Sequence, residues 1–365
     1  MKKICVIVLL MILMSVNVFA QDPYKEQYEI SGANGLYDLL GEDASEAVKN
    51  FEIDLAEPDW VNNITPEGIF LQIGDFLKNG IKTPLKCGAG MLAVIILLAA
   101  ASTFDNFKGF ADIASYVFVL VSSAGILMPM FSLIKSTADA VKGISTLMTG
   151  FVPVYTGILV AGGQSVTASG MSFLLLFGAN MVSMLASFVI VPLMSCYLGI
   201  GMVGSIMPLG GTNRLGEGIK KIAMWILTLT LTLFLGLLSI QTTVNKAADN
   251  LGLKTLKFLI GTFVPVAGGA LSESLTTLLG SVKLLKSSVS MFGVIAIAAT
   301  AIPVALELLS WRAMLFVLDM LAEVFGVNLK TNMLRAADCV LSVLVGVLLF
   351  VAALFIISLA VISGG

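Results

Sequence analysis

Gly150-Phe151-Val152-Pro153-Val154-Tyr155-Thr156-Gly157 returns, nearly unchanged, as Gly261-Thr262-Phe263-Val264-Pro265-Val266-Ala267-Gly268. The interval from Pro153 to Pro265 is 112 residues. A second proline pair follows at almost the same interval, because Val191-Pro192-Leu193 is matched 111 residues later by Ile302-Pro303-Val304. Both copies sit in apolar sequence. The pattern is that of an internally duplicated membrane protein. In such proteins, Pro and Gly at corresponding positions of two units point to a pore or substrate site.

Composition supports the membrane reading. Of 365 residues, 58% are hydrophobic and 12% are charged. A soluble domain averages about 25% charged. The chain contains no His, which excludes Ser-His-Asp and Cys-His triads, His-ligated metals and His-based pH switching. Cys5, Cys87, Cys196 and Cys339 are scattered through apolar segments with no ligand spacing, and read as small buried thiols. No cofactor signature occurs, and nothing points to nucleic acid.

The chain starts with Lys2 and Lys3, an apolar run from Ile4 to Met14, and Val18-Phe19-Ala20 before Gln21. This is the layout of a signal peptide, with cleavage expected between Ala20 and Gln21. An uncleaved first span is disfavoured, since the run is shorter than the ~20 residues a span needs. The following region, 21–85, is acidic: between Gln21 and Lys82 thirteen acidic residues face four lysines. Ala47, Val48, Phe51 and Leu55 suggest one short amphipathic helix. Pro58 and Pro66 bracket a loop. The region is expected outside the cytoplasm, as a docking piece or a solvated tail.

Residues 86–365 form the membrane domain, with repeat units at about 111–221 and 222–335 and a final span at 336–362. Ten candidate spans are Cys87–Phe104, Asp112–Ile134, Leu147–Ala161, Met171–Pro192, Leu193–Leu209, Ile222–Ile240, Leu256–Leu271, Ser288–Leu306, Leu308–Phe325 and Cys339–Ile362. The fold class is therefore an all-α polytopic membrane protein with Pro/Gly-broken segments. Proline interrupts the helical ladder, and irregular backbone survives at membrane depth only inside protein or beside water. Each motif is then a broken span or a re-entrant hairpin. Positive charges lean mildly toward crossing, which places the Arg214-Lys220-Lys221 loop inside, and the sequence is compatible with both.

Amphipathic stretches precede both motifs, Ser132–Lys142 and Gln241–Asp249, and each sets a Lys and an Asp at helix-surface spacing. They read as interfacial helices or solvated connectors. The residues expected at a pore or repeat centre are Gly150, Pro153, Gly157, Gln164, Pro192, Gly261, Pro265, Gly268, Glu273 and Pro303. Glu273 and Gln164 follow the two motifs at comparable positions. Glu307, Arg312, Asp319 and Glu323 share one apolar segment, with Arg312 and Asp319 spaced to share a face. The glycine-rich run Gly210–Gly218 lacks the ending of a phosphate-binding loop.

The acidic start after a signal peptide, the polytopic body, and the segment Phe151-Val152-Pro153-Val154-Tyr155-Thr156-Gly157-Ile158-Leu159-Val160-Ala161-Gly162-Gly163 together resemble the stage III sporulation protein AE family of endospore-forming bacteria. The resemblance extends over essentially the whole chain. It implies a non-enzymatic, multi-pass subunit in the mother-cell membrane around the forespore. It also implies membership of the channel-like complex joining the two cells during engulfment, needed for forespore integrity and late forespore gene expression. The implied partners are other membrane subunits of that complex, a separate ATPase and the lipid bilayer. The resemblance supplies no ligand residues. The alternative is a free-standing secondary transporter of a small solute, coupled through groups such as Glu273 or Asp319. An intramembrane protease lacks a convincing pair of embedded aspartates.

Overall fold

A computed structural model describes residues 23–102, 108–206, 212–263, 268–324 and 332–363. The expected cleavage site, Ala20 and Gln21, lies outside them. Among the described residues every regular element is helical. Two short helices, α1 (Pro23–Ser31) and α2 (Glu42–Asn50), and two 3₁₀ segments, Ala33–Leu39 and Pro58–Asn63, come first. The long helices follow: α3 (Pro66–Ser102), α4 (Lys108–Ala161), α5 (Ser165–Met184), a π-helical turn (Leu185–Ile190), α6 (Val191–Ile206), α7 (Thr212–Phe263), α8 (Gly268–Val324) and α9 (Asn332–Ser363).

Among the described residues, six stretches are long and apolar enough to cross a membrane: Pro66–Leu97, Gly125–Ala161, Ser165–Gly201, Glu217–Asp249, Thr276–Val324 and Leu334–Ser363. The ten expected spans are thus too many pieces. Asp112–Ile134 and Leu147–Ala161 belong to one helix, α4, and Ser288–Leu306 and Leu308–Phe325 to another, α8. Met171–Pro192 and Leu193–Leu209 follow each other through the π-helical turn. Leu256–Leu271 includes residues 264–267, outside the described ones.

Charged residues account for two of these divisions, Lys135, Asp139 and Lys142 for the first and Glu307 for the other, and Pro192 for the third. Pro84, Pro129, Pro153 and Pro303 all sit inside continuous helices. The expectation that Pro153 breaks its span is corrected. A proline removes one N–H and crowds the carbonyl four residues back, yet a packed membrane helix holds its course around that defect. The turn comes later and is made by glycine. Gly163 has φ +71°, its N–H donates to the Val160 carbonyl, and the Gln164 N–H donates to the Leu159 carbonyl. This left-handed closure satisfies the last carbonyls of α4. It sends the chain back antiparallel as α5. Pro192 stands just after the π-helical turn, where the Val191 N–H reaches back to the Ala186 carbonyl.

Side-chain contacts fix the bundle's register. Tyr155 of α4 donates to Ser290 Oγ of α8 at 2.7 Å, fully inside the core. Phe151 lies against Phe292, with ring centroids 6.3 Å apart. Gly143 faces Thr300 and Gly162 faces Val282. Numbers rise on one helix as they fall on the other, so α4 and α8 are antiparallel. Helix α9 lies on α8. A Cβ at Gly293 would meet Leu359 of α9 and Phe151 together.

The acidic region forms a cap docked on α4 and α8 rather than a solvated tail. Tyr24, Tyr28, Ala33, Leu36, Val48, Leu55 and Trp60 are buried in the same core as the long helices. The Trp60 indole donates to Ser288 Oγ at 2.8 Å. Tyr37 meets the Phe292 ring edge-on, 5.3 Å between centroids. The helix expected to carry Ala47, Val48, Phe51 and Leu55 is α2, but it ends at Asn50, with Phe51 at its C-cap and Leu55 beyond it. Its buried Ala44 and Ala47 rest on Ala299 of α8. The stretch between Pro58 and Pro66 is not a plain loop. It is a 3₁₀ segment leading to Thr65, whose hydroxyl accepts from the Gly68 N–H and caps α3. Pro66 takes the first helical position, where no donor is missed.

Trp60 anchors the cap through both burial and its hydrogen bond. Replacing Trp60 with Ala should cost about 3–5 kcal/mol of docking, in line with other buried aromatic deletions. Limited proteolysis of membranes should then cut within residues 23–64 while the long helices stay intact. Unchanged protection of the cap in Trp60→Ala would contradict this packing.

Candidate functional site

Helix α4 carries an exposed stripe that starts in the amphipathic stretch before the first motif and runs through it. Lys135, Asp139, Lys142, Thr146, Thr149 and Pro153 are all exposed. Their spacing of four, three, four, three and four keeps them on one helix face. The opposite face is core: Val141, Ile144, Met148 and Phe151 are fully buried. From Lys135 to Pro153 the stripe covers about 27 Å at 1.5 Å per residue, most of the hydrocarbon thickness of a bilayer. The expectation of a separate interfacial helix over Ser132–Lys142 gives way to this continuous face. The threonine hydroxyls bond back to their own helix, Thr146 to the Lys142 carbonyl at 3.0 Å and Thr149 to the Ser145 carbonyl at 2.9 Å.

Two walls flank the stripe. On one side stands α5, joined to α4 by the Thr156 and Ser172 hydroxyls at 2.6 Å. Ser169 and Asn180 are exposed on α5, and the antiparallel register sets Asn180 level with Thr149. On the other side stands the cap. A Cβ at Gly157 would lie 3.6 Å from Ser31 Cα, and one at Gly150 would run into the Leu39 side chain. Gly150 thus leaves the space that Leu39 of the cap fills, while at Gly157 a Cβ would make only ordinary contact with the cap. Outward from there the cap exposes Glu26, Glu29, Asp38, Glu42, Asp43 and Glu46. Burial, with Glu46 and Glu42 close by, pushes the Asp43 carboxyl above the usual carboxylate range. Burial, with Tyr37, Asp54 and Tyr24 nearby, pushes Tyr28 up to about 12.

The level of these groups follows from α9. Residues 339–363 carry no charge and extend for about 37 Å, so they define the apolar belt. Leu359 sits inside that belt and shares its neighbour Gly293 with Phe151 of the motif. The cap and much of the stripe therefore stand beside the outer part of the belt.

A second polar point lies at the α4–α5 turn. Asp249 of α7 is buried, and its carboxylate accepts from the Val166 N–H at 3.1 Å and the Thr167 N–H at 2.8 Å. These are orphan donors of the first turn of α5, where the helix dipole favours negative charge. One turn earlier, Asn245 is buried with its Nδ2 lacking a partner among the described residues. A Cβ at Gly170 would strike that amide. The stretch Gln241–Asp249 is part of α7 and clamps α5, where an interfacial helix or connector was expected.

The expected centre is partly assembled. Gly150, Pro153 and Gly157 share α4 beside the cap, and Gln164 closes the turn just beyond. Pro192 is exposed but lies 28 residues past Gln164, about 40 Å along the helices. Pro303 is half-buried inside α8, near the Gly143 level rather than the Pro153 level. Gly261 is in the last turns of α7 and Gly268 begins α8. Pro265 lies outside the described residues, as do the surroundings of the Glu273 side chain. Arg312 does not pair with Asp319. It donates to Asp338 of α9 at 2.9 Å. Cys196 is exposed, and Cys87 and Cys339 are half-buried, so the thiols are less deeply placed than expected. No metal-binding cluster occurs among the described residues.

Deleting the Asp249 carboxylate leaves two buried backbone donors unpaired, at about 1–3 kcal/mol for such a loss. Asp249→Ala should lower the melting temperature of the detergent-purified protein, and Asp249→Asn, which keeps one acceptor, should lower it less. Equal melting of all three forms would contradict the clamp.

Comparison with known proteins gives one consistent set of matches. A family model described as stage III sporulation protein AE matches residues 61–365. The stage III sporulation protein AE of Bacillus subtilis (strain 168) is 26% identical over 177 residues, 48% of this chain and 44% of that protein. The match therefore spans less than half the length of this relative. No solved structure matches the chain.

Proposed function

Because the chain belongs to the stage III sporulation protein AE family, and its role is in sporulation, we propose that it is a non-enzymatic membrane subunit of the passage between mother cell and forespore, with the α4 stripe facing water. The observation that carries this reading is the run of exposed Lys135, Asp139, Lys142, Thr146 and Thr149 over about 21 Å of helix. Ionisable groups at membrane depth face a protein interior or an aqueous cavity. Lipid covers none of them without cost. The stripe is therefore read as one wall of a water-filled lane, with α5 and the cap as its edges.

The same reading gives the duplicated motif a role. Pro153 lies on the lane itself, and its missing N–H leaves the Thr149 carbonyl free for water or a passing polar solute. Gly150 gives Leu39 of the cap its seat beside the lane. The Asp249 clamp fixes the end of the α4–α5 hairpin. The extracytoplasmic position of the cap, its partnership with other membrane subunits of the complex, and energy supply by a separate ATPase belong to this proposal. The mother-cell membrane around the forespore is the proposed site, at the engulfment stage. The signal peptide and the internal duplication are part of the same reading. A solute carrier finds some support in Lys286, a lysine 4% exposed on α8, since coupled carriers keep ionisable groups inside the bundle.

Cysteines placed at Lys142, Thr146 and Thr149 should react with a membrane-impermeant maleimide in native membranes. Cysteines at Leu233 and Leu237, exposed on the apolar face of α7, should not. A stripe as unreactive as α7 would remove the basis for the lane. Lys142→Met should reduce spore yield at normal protein level, whereas a loss confined to Lys286→Met would favour the carrier.

A further inference from the structure

A lane on the outside of one bundle is open to lipid along its length, so something must close it. Two features of opposite charge stand side by side on this face at one level. The first is the start of α2, where Glu42, Asp43 and Glu46 are exposed. Its level is set by Ala44 and Ala47, which pack on Ala299. The second is Lys142, exposed on α4. Its level is set by the adjoining Gly143, which lies 3.9 Å from the Thr300 side chain. Ala299 and Thr300 are neighbours in the chain, so the carboxylates and the lysine share one level. Lys135 follows on the same stripe, two turns on. Neither lysine has an ion-pair partner among the described residues.

Copies of a membrane protein are related by an axis along the membrane normal, and so they meet at equal depth. A two-fold contact is self-complementary, with patch i on patch j and j on i. An acidic patch beside a basic one at the same level meets that requirement. A half-turn about such an axis sets each cap against the other copy's stripe. We infer that a second copy of this chain closes the lane, the Glu42, Asp43 and Glu46 edge of each cap lying opposite Lys142 and Lys135 of its partner. The inference rests on the water-facing reading of the stripe and adds the identity of the wall that completes it. It also explains why the cap is so acidic on its free side. Asp139 stands between the two lysines on the same face, so the stripe keeps a net positive charge for those carboxylates to complement.

The test uses full-length chains in native membranes, carrying two different tags. One copy bears Lys142→Cys and the other Glu46→Cys. Mild oxidation should give a disulfide-linked species carrying both tags. The pair Leu233→Cys with Glu46→Cys should give none. Lys142→Glu should reduce co-purification of the two tags severalfold, and adding Glu46→Lys should restore it. Protease protection of the cap in each variant shows that the chain has folded. Folded variants that yield no mixed-tag species and no co-purification would overturn the inference. Maleimide reaction at Lys142→Cys without any cross-link would leave the lane standing and remove the second copy. A cross-link without reaction at Thr146→Cys or Thr149→Cys would do the reverse, leaving a dry contact between copies.

Discussion

Lys135, Asp139 and Lys142 stand exposed on a helix whose other face is closed against an apolar core, and that placement constrains the rest of the molecule. A charged group near the centre of a bilayer costs several kcal/mol unless it snorkels or finds water. Three in succession on one face, continued by Thr146 and Thr149, amount to a polar track about 21 Å long. The arrangement around it is consistent with a wet face. The α5 side contributes serines and an asparagine. The cap side contributes carboxylates. The faces that expose Phe173, Phe177, Leu233 and Leu237 are free of charge and suited to lipid.

Close approach makes this face possible. The cap is too small and too acidic to hold itself together beside an apolar bundle without anchors. It uses Trp60 on Ser288, Tyr37 on Phe292, and two alanines on Ala299. Gly150 leaves the space that the Leu39 side chain of the cap fills. On the far side of α4, Tyr155 and Ser290 tie the same motif to α8. The duplicated Phe-Val-Pro-Val segment is thus a junction in its first copy: its aromatic residues face the core, its glycines face the cap, and its proline faces outward.

The fold class was legible in composition alone, because a chain this apolar and this poor in charge has few other solutions. The helical cap around Ala47 was legible from its spacing. Its docking was not, because Tyr24, Tyr28, Leu36 and Trp60 are scattered among acidic residues with no period that reveals a shared face. Charged residues inside long helices misled two span boundaries, and Pro192 a third. A proline inside a packed helix leaves the same sequence trace as one that ends it, and only Gly163, with its positive φ, marks the true turn. The stripe was half legible. Its lysines and aspartate were visible as an amphipathic stretch, but Thr146, Thr149 and Pro153 extend that face only if the helix runs on through the proline. The partners Asp249 with α5 and Arg312 with Asp338 lie 83 and 26 residues apart in the chain. Their pairing depends on helix register, which local pattern does not reveal.

Depth and solvent can be read together at single positions with spin labels. Nitroxides at Asp139, Lys142, Thr146 and Thr149, in protein reconstituted into vesicles, would be relaxed by oxygen, which concentrates in lipid, or by a water-soluble nickel complex. The account predicts that the nickel complex dominates at all four positions, and that oxygen dominates at Leu233 and Leu237 at comparable depth. Oxygen dominance along the α4 stripe would show that it faces lipid, and would contradict the central claim.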